Sequence, residues 1–182
     1  MTILEDQIRE CFGRVVYTHK THEKMADRCA NTLRRMKITQ ILLTAITTGG
    51  ALAIVLGDGT VAKILTLVVS LASFILSAYL KGFDPGGAAQ KHREAGASLW
   101  DVRESYLSLL TDLLRGALTE DEAAAKRDEL QERVAKIYTT SPHTTGAAYA
   151  DAQKALKEFE DYTFSAAEID AFLPNGLKKD PP

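Results

Sequence analysis

Apolar and polar residues are unevenly spread along this chain: two long apolar runs lie between Ile38 and Leu80, with charge-rich segments on either side. The first run, ITQILLTAITTGGALAIVLG, holds no charged residue between Lys37 and Asp58. About 20 such residues span about 30 Å as a helix, the thickness of a hydrocarbon core. The second, ILTLVVSLASFILSAYL, lies between Lys63 and Lys81. It reaches full length when counted from Thr60 as N-cap, with Lys63 snorkelling into the interface. Gly82 and Asp84-Pro85-Gly86-Gly87 supply a stop. Only Gly57-Asp58-Gly59-Thr60 joins the runs, so the two spans must be antiparallel neighbours. Two central helices of a soluble bundle could be as apolar, but so short a chain has too little polar helix surface to wrap both.

Within the runs, polar and small residues recur at helical spacing. Gln40, Thr44, Thr47 and Ala51 share one face of the first span, and Lys63, Thr66, Ser70, Ser73 and Ser77 one face of the second. Such stripes let helices approach closely and hydrogen-bond, within one hairpin or between hairpins, or they line a water-filled path once several hairpins assemble. Neither span contains Asp, Glu, His or Arg, which argues against a proton relay or coupled transporter.

Outside the spans the pattern is helical throughout. Cys11, Val15, Thr18, His22, Met25, Cys29 and Met36 repeat in steps of mostly three and four, predicting one long helix that runs into the first span. Leu99, Val102, Tyr106, Leu109 and Leu113 form a heptad stripe. Trp100, Leu107, Leu110 and Leu114 lie beside it, and the doubled stripe predicts burial on more than one side. Thr119-Glu120-Asp121-Glu122 and Ser165-Ala166-Ala167-Glu168 read as capping boxes opening two further helices. Leu130, Val134 and Ile137 mark the inner face of the first of these. A helix between them carries Tyr149, Ala152, Leu156 and Phe159. No alternation long enough for a strand occurs, so the fold class is all-α. The expected division is an N-terminal cytoplasmic helix over 1–37, continuous with the first span, then a transmembrane hairpin over 38–81. A cytoplasmic helical bundle over 82–174 and a flexible tail over 175–182 follow.

Charge sets the orientation. Lys24, Arg28, Arg34, Arg35 and Lys37 precede the first span and Lys81, Lys91 and Arg93 follow the second, whereas the loop region offers Asp58 and Lys63. Both termini should therefore face the cytoplasm. Arg28, Arg34, Arg35, Lys37 and Lys81 form a basic collar suited to anionic lipid. A net charge of −2 over 182 residues argues against DNA or RNA binding. Cys11 and Cys29, about 27 Å apart on one helix, cannot bridge. Met1–Glu10 carries Glu5, Asp6 and Glu10 and lacks the pattern of a secretory signal. His19 and His22 could ligate a metal, but no convergent third ligand is evident, and a polar helix face is the better reading. Phosphate loops, zinc spacings and nucleophile elbows are missing, so no catalytic residue, metal or cofactor is expected and an enzyme is the least favoured class.

The order of elements carries a further signal. A basic helix and an apolar hairpin precede Lys91-His92-Arg93-Glu94-Ala95 and Leu99-Trp100-Asp101-Val102-Arg103-Glu104-Ser105-Tyr106; Ile137-Tyr138, Ser141-Pro142-His143-Thr144 and Ala148-Tyr149 come after. From about Cys11 to Leu173 the chain resembles the SLATT family of bacterial two-transmembrane effector domains. That family is associated with nucleotide-second-messenger, nucleotide-sensor and reverse-transcriptase defence systems. The resemblance implies a homo-oligomeric effector in the bacterial inner membrane that permeabilises it and kills or arrests a phage-infected cell. Its trigger would come from a separate sensor or regulator protein, from loss of an inhibitor, or from a ligand such as a nucleotide signal on the cytoplasmic helices. A rival reading makes the hairpin a mere tether for a cytoplasmic recruitment module. His92, Arg93, Trp100, Arg103 and Tyr106 are candidates for an inter-helix or inter-subunit network beneath the membrane. Alternatively, the two arginines hold a phosphate, with Trp100 or Tyr106 stacked on a base.

Overall fold

The computed structural model describes residues 3–57 and 59–179, and every regular element among them is helical. Helix α1 runs unbroken over Ile3–Leu56, α2 over Thr60–Phe83 and α3 over Pro85–Leu114. Helices α4 (Glu120–Thr140), α5 (Gly146–Lys157) and α6 (Ala166–Phe172) follow, with a 3₁₀ turn at Asn175–Leu177. At about 1.5 Å per residue the 54 residues of α1 make a rod about 80 Å long. No isolated helix holds such a length by propensity alone, so its stability comes from what packs along it.

The packing is one antiparallel seam. The far half of α1 pairs with α2, where Gln40 Nε2 donates to Ser77 Oγ at 2.9 Å and a Cβ on Gly50 would run into Thr66 Oγ1. The near half pairs with α3: Leu33 lies against Gly86, His22 meets His92, and Gly96 lies against His19. Between α2 and α3 only Asp84 leaves the helical path, with φ 36° and ψ 67°. Its backbone N–H donates to Leu80 O, and its carboxylate accepts from Gly87 N at 3.0 Å. The stop expected around Gly82–Gly87 is thus a single-residue joint. Pro85, Gly86 and Gly87 belong to the first turn of α3, where proline is well tolerated. Helix α2 begins at Thr60 itself, after Gly59 as N-cap.

The core of the bundle outside the spans gathers Ile8 and Val15 of α1, Leu99, Val102, Tyr106, Leu109 and Leu110 of α3, and Ala123 and Leu130 of α4. This is the heptad stripe, as expected. The doubled stripe is not: Trp100, Leu107 and Leu114 are 51%, 49% and 61% exposed, because α4 covers one side of α3 only. Both capping boxes form, at Thr119/Glu122 and Ser165/Glu168. Helix α5 packs through Ala148, Ala152 and Ala155 instead of Tyr149 and Phe159, since small side chains let it lie close to α1. The segment read as a flexible tail holds the 3₁₀ turn, and Lys179 N donates to the Asp170 carboxylate at 3.3 Å. Asp58 and Asp180–Pro182 lie outside the described residues.

Replacing Leu99 with Ala, at a site 1% exposed, is expected to destabilise the helical bundle by about 2–5 kcal/mol. Chemical denaturation followed by circular dichroism in detergent checks this; a loss below about 1 kcal/mol would show that α3 does not carry the core.

Candidate functional site

Two features stand out: the faces of the hairpin and a polar cluster in the bundle beyond its open end. The α1–α2 contact is made by Gln40, Leu43, Thr47, Gly50 and Ile54 on α1 and by Ala62, Thr66, Val69, Ser70, Ser73, Leu76 and Leu80 on α2, all half-buried. So Gln40, Thr47, Thr66, Ser70 and Ser73 of the polar stripes meet within one hairpin. Ser73 Oγ is buried and has no hydrogen-bond partner. Thr44, Ala51 and Ser77 remain exposed, and so does Thr48, which the sequence reading passed over. Thr44 and Thr48 return their hydroxyl protons to Gln40 O and Thr44 O, so each presents an oxygen outward without an unsatisfied donor.

At about 3.6 residues per turn, Thr44, Thr48 and Ala51 fall on one flank of the contact, the same side as Lys63, Ser70 and Ser77 on α2. The Gln40–Ser77 hydrogen bond bridges the helices along that side. The opposite flank carries Ile46, Ala53, Leu65 and Ala72. The two flanks therefore differ through the middle of the spans, with Thr44, Thr48, Ser70 and Ser77 on one and Ile46, Ala53, Leu65 and Ala72 on the other. Its large apolar side chains, such as Ile41, Val61, Leu67 and Phe74, are exposed, and the apolar windows of both spans have no buried residue. In water such a surface would be untenable; in a bilayer it needs no further cover.

Outside the apolar spans α1 turns polar where it crosses α3. His19, Lys20, Thr21 and His22 are all buried, so the polar face expected at His19 and His22 is turned inward, with His22 on the repeat that runs along α1. Buried polar groups require partners, and these have them. Lys20 Nζ pairs with Glu23 at 3.0 Å and with Asp161 at 2.8 Å. Tyr162, in the loop after α5, donates to Glu23 Oε2 at 2.7 Å, and its ring stacks on His19 with centroids 5.4 Å apart. Lys20 and Arg103 also lie against that ring, at 4.5 and 4.6 Å. Arginine only donates, so the 3.4 Å contact of Arg103 with His19 Nδ1 leaves the His19 proton on Nε2, facing Glu23. The bond from His19, with those from Tyr162 and Lys20, holds the Glu23 carboxyl well below the usual carboxylate range despite its burial. Burial opposes the Lys20 charge, but its bonds to Asp161 and Glu23 prevail and raise it. Burial and the Glu23 carboxylate push the Tyr162 phenol up.

The five residues expected to form one network part three ways. His92 is buried on α3 with its Nδ1 3.0 Å from His22 Nδ1. Arg93, Trp100 and Arg103 line a common cleft of about 770 Å³ with His19, Glu23 and Tyr162. Tyr106 belongs to the apolar core, 1% exposed, where burial and the neighbouring Cys11 raise its phenol. A phosphate fits this cleft poorly: Glu23 and Asp27 share its walls, and Arg103 is already neutralised by Glu104 at 2.6 Å. Within the basic collar, Arg34, Arg35, Lys37 and Lys81 are exposed, while Arg28 is bound to Asp151 at 2.7 Å and so ties α5 to α1. Lys20, Glu23, Asp161 and Tyr162 were missed. For Lys20 and Glu23 the signal was their place beside the buried stripe of α1; Tyr162, in a loop, gave none. No group of three or more side chains suited to a metal ion occurs among the described residues.

A family model described as "SMODS and SLOG-associating 2TM effector domain family 4" matches residues 4–168. No curated protein and no solved structure matches the chain.

Burial, then the nearness of His92 and His19, pulls His22 down to about 4, and burial lowers His92 as well. An unfolded His22 titrates near 6.5, so between about 6.5 and 4 the unfolded state binds more protons. Stability is complete above that window and is lost as pH falls through it, by about 2 kcal/mol at pH 5. Thermal unfolding in detergent at pH 7 and pH 5 should show this loss, and His22→Leu/His92→Leu should remove most of it. An equal acid sensitivity in the double variant would place the titrating group elsewhere.

Proposed function

The chain belongs to family 4 of the SMODS and SLOG-associating 2TM effector domains and is a membrane effector linked to defence; from that premise we propose that it acts by assembling hairpins into a permeation path. The protein homo-oligomerises in the bacterial inner membrane with both termini in the cytoplasm. On receiving a signal from a separate sensor or regulator it breaches the membrane and kills or arrests the infected cell. The difference between the two flanks of the hairpin carries this reading. One hairpin encloses no channel, so a path needs several copies, and the flank bearing Thr44, Thr48 and Ser77 is the one that water would accept. The apolar flank then faces lipid. The exposed cations Arg34, Arg35, Lys37 and Lys81 support the orientation and hold the cytoplasmic end against anionic headgroups.

Because Ser70 and Ser73 support the hairpin itself, the informative substitutions are at the exposed threonines. Thr44→Leu/Thr48→Leu should leave insertion intact and slow ion release from liposomes by roughly tenfold or more, since a hydrocarbon lining dewets a narrow path. Unchanged release from the inserted variant would sink the assignment of that flank. Replacing the whole hairpin with an unrelated two-span anchor separates the effector from a tether: retained killing would mean that the hairpin only anchors a recruitment module.

A further inference from the structure

The Ser141-Pro142-His143-Thr144 run and Tyr149 have no part in the core or in the cluster around Tyr162. They converge on a second cleft, of about 240 Å³, between α1, the end of α4, the α4–α5 loop and the start of α5. Its walls include Tyr17, His22, Tyr138, His143, Thr144 and Tyr149, and no Asp, Glu, Lys or Arg contributes to them. The phenol rings are held in place: Tyr17 and Tyr149 stack with centroids 5.9 Å apart, and Tyr138 OH is hydrogen-bonded to Thr18 Oγ1 at 2.8 Å. His22, 3% exposed, spends Nδ1 on His92. Its second ring nitrogen has no hydrogen-bond partner among the described residues. Ser73 Oγ is the one buried side-chain atom without a partner among the described residues, so this nitrogen opens onto the cleft, where an occupant can hydrogen-bond to it.

We propose that this cleft binds a small uncharged molecule with a flat, hydrogen-bonding ring, that is, a neutral heterocycle. An ion would surrender its hydration to walls that offer no counter-charge. A saturated polyol would make no use of the aromatic faces, whereas a planar ring stacks on them while its edge meets the hydroxyls and the free imidazole nitrogen. The cleft is too small for more than one fused ring system. Through the His22–His92 contact an occupant on α1 is felt by α3, and these two helices lead directly to the membrane spans.

The test is equilibrium dialysis of the full chain in detergent against adenine, cytosine and nicotinamide, with nicotinate, AMP and glucose as the charged and non-planar controls and empty micelles as the blank. At least one neutral heterocycle should saturate a single site per chain while the controls do not. His143→Ala and Thr144→Val, both at exposed loop positions, should each weaken it several-fold, and Tyr149→Ala by roughly tenfold or more, with unchanged helical circular dichroism. No saturable binding of any of the three, equal binding in all the variants, or preference for a charged control would each overturn the proposal.

Discussion

The structure depends on α1 keeping one register against its partners for its whole length. A rod about 80 Å long meets α3 in water and α2 in lipid, and the chemistry of its inner face changes to suit. Near the N-terminus the seam is apolar, with Ile8 and Val15 against the core of α3 and α4. In the middle it is polar, with His19, Lys20 and His22 buried. In the membrane it relies on close approach, at Gly50 against Thr66, and on the Gln40–Ser77 bond. Hydrophobic burial drives only the first of these. Inside a bilayer, lipid tails are as apolar as leucine, so contact there rests on packing and hydrogen bonds.

The polar middle follows from the same constraint. A continuous helix has no loop by which to carry charges out to solvent, so whatever lies on its inner face is buried. Buried charge left alone is strongly destabilising, and the loop after α5 supplies the remedy by laying Asp161 and Tyr162 over Lys20 and Glu23. Arg28 and Asp151 fasten α5 to α1 a little nearer the membrane, which sets where that loop begins. The result is a helical bundle tied to α1 by ion pairs and stacked rings at the end nearer the spans and by apolar packing on its far side.

How far this was legible in the sequence depends on the kind of signal. The spans were clear because charge-free length is a direct demand of the bilayer, and their pairing was clear because four residues permit no other arrangement. The polar stripes were visible as stripes, but periodicity names a face without naming its neighbour; Ser70 and Ser73 turned inward and Thr44 and Thr48 outward. The burial of His19 was not legible because polar helix residues usually face solvent, and only its partners, distant in sequence, make burial tolerable. Trp100, Leu107 and Leu114 were misread for the converse reason: a second apolar stripe does not itself provide a helix to cover it. Tyr162, in an irregular loop, carries no period at all, and the joint at Asp84 was blurred by Pro85, which breaks one helix and begins another equally well.

That joint makes the two rods mechanically unequal. Helix α1 passes from the helical bundle into the span as a single strut, whereas its partner is jointed at one residue, braced by its carboxylate on Gly87 N, its amide on Leu80 O and its carbonyl on Ala88 N. A strut transmits twist along its axis; a joint interrupts it. A turn of α1 about its own axis passes through one continuous helix into the span, while between α3 and α2 the helical path is interrupted at Asp84. The two rods thus enter the hairpin on unequal terms, one unbroken and one jointed.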